Sequence, residues 1–460
     1  MRISWTKNFK KGNDALSGKR GSISVFLALI IVSVITALGI IVEGGARKAS
    51  HSYCDGLVSM ACNSVMSEFA IELNRDYGLL GCSLDRSDVE ERMEWYINCN
   101  LKANRGYMDP LQLELDRLTV DFSNNFLSNP DVLEEQINEY MRLRVSESLI
   151  RNGIDFLEGS SGVIKRSGKG EGKTISPGDI RLENTRIIEE LPSRIHGVGN
   201  RLLPEIDSIP ELSSLLFRSK SNLYTNLYIL KKFRHTYDEG GLWKDTFFKG
   251  EIEYILSGRL SDDSNRKSVK LSLITLRSGI NLTHIYSNST KRQAVIDMAT
   301  MLTPGPEAVV TQAALATAWA AAEGANDMAR LERGGRVPLY KTEEDWMIDL
   351  ESAVKNIMWT GSLEPESDKG MEYGDYLLLL LFFQDRNTKL IRTMDLIQLN
   401  MKGRYDGDFL ITRCFTGFDA SVFMGRKKSF AGFLSGRRGM IETSCNYFPG
   451  GGGDDGKKEK

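Results

Sequence analysis

The sequence predicts an α+β protein, mainly α with a smaller antiparallel β part, carried on one N-terminal transmembrane helix that continues into an extracytoplasmic helix. Residues 22–42, "SISVFLALIIVSVITALGIIV", hold no charge, no proline and a single glycine. Beyond them, apolar residues recur at steps of three and four in long stretches up to residue 401, the period of one helix face. After residue 402, β-branched and aromatic residues flank a Gly-rich connection, the composition of paired strands.

At 1.5 Å per residue the uncharged run spans about 31 Å, the thickness of a bilayer's hydrocarbon core. A cleaved signal peptide has an apolar run of about 7 to 15 residues and small residues at its cut. Here the run is longer, and "VEGGARKAS" puts Glu43, Arg47 and Lys48 where that cut would fall. Residues 23–42 therefore read as a retained anchor. Six cations precede it, Lys19 and Arg20 the nearest, and they place the N-terminus in the cytoplasm and the C-terminal domain outside a cell membrane crossed once. A processing site is also readable between Gly21 and Ser22. A type IV pilin cut there would carry an acid at its fifth mature position, where Phe26 stands.

The chain has 460 residues, enough for two or three domains, with 41% hydrophobic and 26% charged residues. Its net charge of −2 hides an asymmetry. The first 22 residues carry six Lys/Arg and one Asp, whereas the part after Glu43 carries 53 basic and 59 acidic residues. An acidic body argues against a nucleic-acid partner, which needs a basic stripe.

In chain order, residues 54–80 extend the anchor helix, because Cys54, Val58, Cys62, Val65, Phe69, Leu73 and Tyr77 form one apolar stripe that ends at "YGLLGC". Residues 86–104 read as a second helix, 113–123 as a first strand and 131–152 as a third helix. A Gly-, Ser- and Lys-rich stretch, 158–178, has no periodicity and reads as a flexible linker or loop. The pattern from 184 to 401 is helical, including an Ala-rich helix over 306–335 and the centre of a buried helix in "DYLLLLLFFQDR" (375–386), neither long and apolar enough for a second crossing. Strands are expected within 408–424 and 439–448. The resulting division is a basic cytoplasmic tail (1–22), the transmembrane helix (23–42), a helical stem with a strand (43–157), the linker (158–178), a mainly helical domain (179–401), a β-rich part (402–449) and a disordered tail (450–460).

Residues with chemistry are scattered. The near P-loop "SGKGEGKT" (167–174) has Ser167 where the motif needs Gly, and Pro177 and Gly178 interrupt the helix it should open. His51, His196, His235 and His284 have no second ligand three or four residues away, so no metal site is predicted. No nucleophile elbow or metalloprotease helix occurs, and the acids read as solvated helix faces. No catalytic residue, no cofactor and no small-molecule substrate is assigned. Two sequons, at Asn281 and Asn288, are short enough to arise by chance. Of the six cysteines, Cys54 and Cys62 read as core, while Cys82 with Cys99 and Cys414 with Cys445 are candidate disulfides. A structural corner is expected where Gly334 and Gly335 stop a helix, Pro338 fixes an extended piece, Thr342 caps a helix opening at Glu343, and Trp346 pins the turn to the body.

Residues 21–81, together with "KGEIEYILSGRLSDDSNRKSV" (249–269), "GGRVPLYKTEEDWMIDLE" (334–351), "YLLLLLFFQDRNTKLIRTMDLIQLNM" (376–401) and "RCFTGFDA" (413–420), resemble an uncharacterised bacterial family. It is found mainly in Gram-positive anaerobes beside tight-adherence (Tad) pilus or secretion genes. The N-terminal segment is similar to the anchors of TadE and TadG pseudopilin-like proteins, which carry a Glu near the position of Phe26. The resemblance implies a non-enzymatic envelope component whose partners are the membrane and other subunits of a pilus or secretion apparatus. A processed minor pseudopilin cut after Gly21 and an anchored extracytoplasmic enzyme are the two alternatives.

Overall fold

Helix α1, Asp14–Met66, runs without a break through the apolar segment and beyond it. The computed structural model describes residues 14–103, 111–123, 125–144, 185–199, 220–237, 246–355, 369–426 and 439–447, so the 158–178 linker and the near P-loop lie outside the described residues. The protein is mainly helical with a small antiparallel sheet, and its chain divides into two units that each draw on separated segments.

The first unit comprises residues 1–68, 84–123 and 417–449. In α1, Cys54, Val58, Ala61, Cys62 and Val65 are fully buried, a single face at helical spacing. That face packs against helix α3, Arg86–Ala103, and a three-stranded sheet of β1, Leu113–Asp121, β2, Phe418–Arg426, and β3, Gly439–Tyr447. α3 contributes Val89, Met93, Ile97 and Leu101, every fourth residue, to the same core. The sheet order is β1-β2-β3, antiparallel throughout, with Leu118 opposite Val422 and Val422 opposite Thr443. β2 is central and alternates strictly, burying Phe418, Ala420, Val422 and Met424. β1 alternates imperfectly because its register shifts between Leu115 and Arg117. The C-terminal strands thus pair with the strand near residue 120 rather than forming a part of their own.

The expected continuous stripe from 54 to 80 is interrupted. α1 ends at Met66, and α2, Ile71–Tyr77, starts afresh in the second unit. Glu68 is drawn aside by the Arg92 guanidinium and by the Tyr96 hydroxyl at 3.2 Å, and the Ala70 N–H donates to Gly81 O at 2.9 Å instead of continuing the helix. α2 stops at Gly78, whose φ of 71° is left-handed and whose added Cβ would lie 1.9 Å from the Tyr140 ring.

The second unit comprises residues 69–83 and 124–416 with the chain's last residues. Its further helices are α4, Pro130–Arg142, α5, Thr185–Glu189, α6, Pro192–Ile195, α7, Lys220–Lys232, α8, Glu251–Ser257, α9, Asp262–Ser287, α10, Ser289–Leu302, α11, Ala308–Glu332, α12, Leu350–Val354, α13, Tyr373–Phe383, and α14, Arg386–Arg404. Local chemistry sets their starts. Asn129 caps α4 with Pro130 in its first turn, Glu372 and Asp375 make a reciprocal capping box on α13, and Asp385 accepts from Thr388 N to open α14. α4 ends at Arg142, ten residues before the expected boundary. The apolar α13 is buried as its composition predicts, and α8 is buried on every side. α14 is buried from Lys389 to Lys402 even though that stretch holds charged residues.

Candidate functional site

The membrane-competent segment is the clearest functional feature of the first unit. From Ile23 to Val42 the apolar side chains of α1 stand bare, Phe26 64% and Val42 69% exposed, a face that water would not leave uncovered. The polar residues within it are satisfied inside the helix. Ser33 Oγ donates to Leu29 O at 2.8 Å and Thr36 Oγ1 to Val32 O at 2.7 Å, the arrangement a hydrocarbon environment requires. One residue past the run, Glu43 is nearly buried. Arg426, at the end of β2, donates to it at 3.3 Å, and Arg47 flanks it at 3.9 Å, so an ionic collar marks where the bare helix ends and the packed helix begins.

Among the described residues of the second unit, two groups of buried charges stand out. On α11, Glu323 and Asp327 face inward one turn apart. Arg277 of α9, fully buried, donates to Asp327 at 2.9 Å, to Leu339 O at 2.8 Å and to the Tyr376 hydroxyl at 3.1 Å. Lys341 reaches both acids, Asp327 at 2.5 Å and Glu323 more closely. The Glu323 carboxylate also accepts from Met347 N and Ile348 N, and Ile348 O accepts from the indoles of both Trp319 and Trp346. The group therefore fastens the segment 334–349 to α9 and α11. Close helix contact there needs Gly324, because a Cβ would sit 2.9 Å from Ser278 Oγ.

Around α8 and α14 lies the other group. Burial pushes the Glu251 carboxyl up to about 7 even though Asn400 and Arg234 N donate to it. Asp395 is raised to about 6 by burial, while accepting from Ser193 N at 2.9 Å and from the Tyr254 hydroxyl at 2.7 Å. Glu253 is also pushed up by burial and accepts from Thr236 N and the Tyr373 hydroxyl. Burial lowers Lys389 to about 7, against acceptors on Asn222, Asn226 and Leu381 O. Arg392 donates to Ile255 O and Leu256 O, the last carbonyls of α8. Each of these side chains is at most 2% exposed, and their partners are buried or half-buried groups. Their shifts follow from enclosure, and the geometry makes them internal fastenings of the helices.

Residues 164–425, more than half of the chain, match the family of unknown function DUF5702. The chain belongs to the DUF5702 family. No curated protein and no solved structure matches it. The DUF5702 match takes in both buried groups and β2 as far as Gly425, while α1, α3 and β1 precede it.

Within this DUF5702 chain the residues singled out from the sequence fall in different places. Lys19, Arg20, Gly21 and Ser22 lie inside α1, ahead of its described side chains. Gly334 adopts a φ of 81° and ends α11, Val337 and Met371 pair by backbone next to Pro338, and Gly370 approaches so closely that a Cβ would lie 2.4 Å from Pro338 N. Thr342 does not cap a helix. Its N–H and hydroxyl both bond to Asp345 in a turn, and helix α12 opens only at Leu350, capped by Asp349. Trp346 stacks on His284 at 5.3 Å and receives the Lys291 ammonium at 4.7 Å. The six cysteines are free thiols: Cys82 and Cys414 are buried, Cys99 is exposed, and the thiol that perturbs Cys445 is Cys62 rather than Cys414. Asn281, in one sequon, is buried and bonded to Arg277 and Asp327, a position closed to glycosylation. Among the described residues no group of three His, Cys, Asp or Glu is placed to hold a metal. The buried acids were missed because a single helix face does not reveal its partner; the usable signal was Glu323 and Asp327 continuing the stripe of Trp319 at steps of four.

Proposed function

We propose that this chain is a single-pass membrane component with its N-terminus in the cytoplasm, whose outward helical body assembles with other subunits of a Tad-like pilus or secretion apparatus and carries no catalysis of its own. The observation that supports it most is the division of α1: a bare apolar half of membrane-spanning length, then a collar at Glu43, then a half packed into a folded unit. The six cations ahead of the run supply the orientation. The resemblance of residues 21–81 to pseudopilin-like anchors supplies the class of machine. The Glu251 and Asp395 carboxyls, both raised, are enclosed and engaged as fastenings, which favours a scaffold over an enzyme.

A processed minor pseudopilin is the second reading, favoured by one feature of α1. A helix bare over its first half and packed on a sheet over its second is what a subunit needs if its helix bundles with those of neighbouring subunits.

The exposed Cys99 tests the orientation. A membrane-impermeant maleimide applied to intact cells should label Cys99 and should fail to label a Cys99→Ser variant there. Labelling of Cys99 only after lysis would overturn the outward placement. In-cell cross-linking tests assembly: products well above the single-chain mass of 51.5 kDa are expected, and recovery only at that mass would remove the assembly reading.

A further inference from the structure

The first unit brings together two cysteines that are 383 positions apart in sequence. Cys62 lies on the fully buried face of α1 with Val58, Ala61 and Val65. Cys445 lies on β3, opposite Ala420 of β2, in the strand that packs against α1. Along β3 the exposed residues are Met440, Glu442 and Ser444, while Ile441, Thr443 and Cys445 are the more buried set, so Cys445 shares the face of Thr443. The two thiols lie close enough to perturb each other's ionisation.

We infer that Cys62 and Cys445 are a redox-active pair that closes into a disulfide, stapling the anchor helix to the last strand of the sheet. The packing of the Cys62 face of α1 against the Cys445 face of β3 carries the inference; the electrostatics of the two thiols fit it. The neighbouring Cys445 and burial push the Cys62 thiol up, and the neighbouring Cys62 lets Cys445, the less buried of the two, ionise below its ordinary value. Cys54, Cys82 and Cys414 are instead held protonated by burial. The oxidant is a disulfide, of a small molecule or of an oxidoreductase. The Cys445 thiolate attacks it, forming a mixed disulfide and expelling one thiolate. Cys62 then gives up its proton and attacks the Cys445 sulfur, expelling the second thiolate. Two thiols lose two electrons and two protons, and the oxidant becomes two thiols.

The full chain in detergent is treated with oxidised glutathione, unfolded in denaturant, alkylated without reduction, digested and examined by peptide mass spectrometry. A Cys62–Cys445 linked peptide is expected, with Cys54, Cys82 and Cys414 alkylated, and the same link is expected in a Cys414→Ser variant. Alkylation of both Cys62 and Cys445 in the treated chain, or a bridge from Cys445 to any other cysteine, would overturn the pairing. Closure in the cell rests on the outward placement proposed above, so the same peptides are examined from native membranes without added oxidant. The link there is expected; a link formed with glutathione but absent from native membranes would contradict the outward placement while leaving the pairing intact.

Discussion

Arg426 Nη1 donates to Glu43 Oε1 at 3.3 Å, joining the last residue of β2 to the first charged residue after the membrane-competent run. Both side chains are about nine-tenths buried, so the carboxylate depends on this cation more than a surface acid would. Arg426→Met is expected to destabilise the first unit by about 1.5–3 kcal/mol, the range for a hydrogen bond to a charged group. Glu43→Gln in the same background should cost little more, since the pair is already broken. Thermal unfolding of the four chains of that cycle in detergent checks it, and additive losses would show the two residues to be uncoupled.

Asp327 faces two cations, Arg277 and Lys341, in the interior of the second unit. Asp327→Asn removes the acid that pairs with Arg277 and one of the two that pair with Lys341, and breaking a buried pair in this way costs about 3–5 kcal/mol. Denaturant unfolding should show that loss, together with freer exchange of the backbone amides of Met347 and Ile348, which the same cluster fastens through Glu323. An unchanged midpoint would mean that the cluster does not hold the 334–349 segment.

Stability should pass through a shallow minimum near pH 7. Unfolded carboxyls titrate near pH 4. Burial raises Glu251 to about 7 and Asp395 to about 6, so between about pH 4 and 7 the folded chain keeps protons that the unfolded chain has lost, and stability falls as pH rises. Lys232 and Lys389 are lowered by burial to about 7, against about 10.4 unfolded, so from pH 7 upward the unfolded chain holds the extra protons and stability recovers. Unfolding temperatures at pH 5, 7 and 9 measure this. Glu251→Gln should flatten the acid limb alone, and a monotonic profile in the parent chain would contradict the assignment.

Two charges in the middle of the bare helix should release it. Leu29→Asp and Val34→Asp place carboxylates in the centre of the run, where each costs about 2.5–3.5 kcal/mol on insertion. Membrane fractionation is expected to lose the doubly substituted chain, whereas the same pair of changes at exposed positions of α3 should leave it in place.

The long apolar helix at the N-terminus was legible from sequence because its length and composition lie in a single contiguous stretch, and α13 was legible because its apolar run exceeds what a surface helix would carry. The break at residues 67–70 was not, since it depends on Arg92 and Tyr96 capturing Glu68 and on Gly81 capturing the Ala70 N–H, contacts that spacing alone does not encode. The helix expected after Thr342 failed for a related reason: Glu343 pairs with Lys291 at 2.6 Å and Asp345 folds back on Thr342, so the acids that looked like a helix start are spent in a turn. The buried charges required partners from three separate segments, Arg277, Asp327 and Lys341. The cysteine contact joined residues on opposite ends of the chain. In each case the missing fact was which distant group would meet the local pattern.

The retained anchor is tested most directly by N-terminal sequence and intact mass of the chain recovered from its native membrane fraction. A chain that starts at or next to Met1 and resists carbonate extraction is the expected result. A chain starting at Ser22 would contradict retention and make α1 the shaft of a processed pseudopilin.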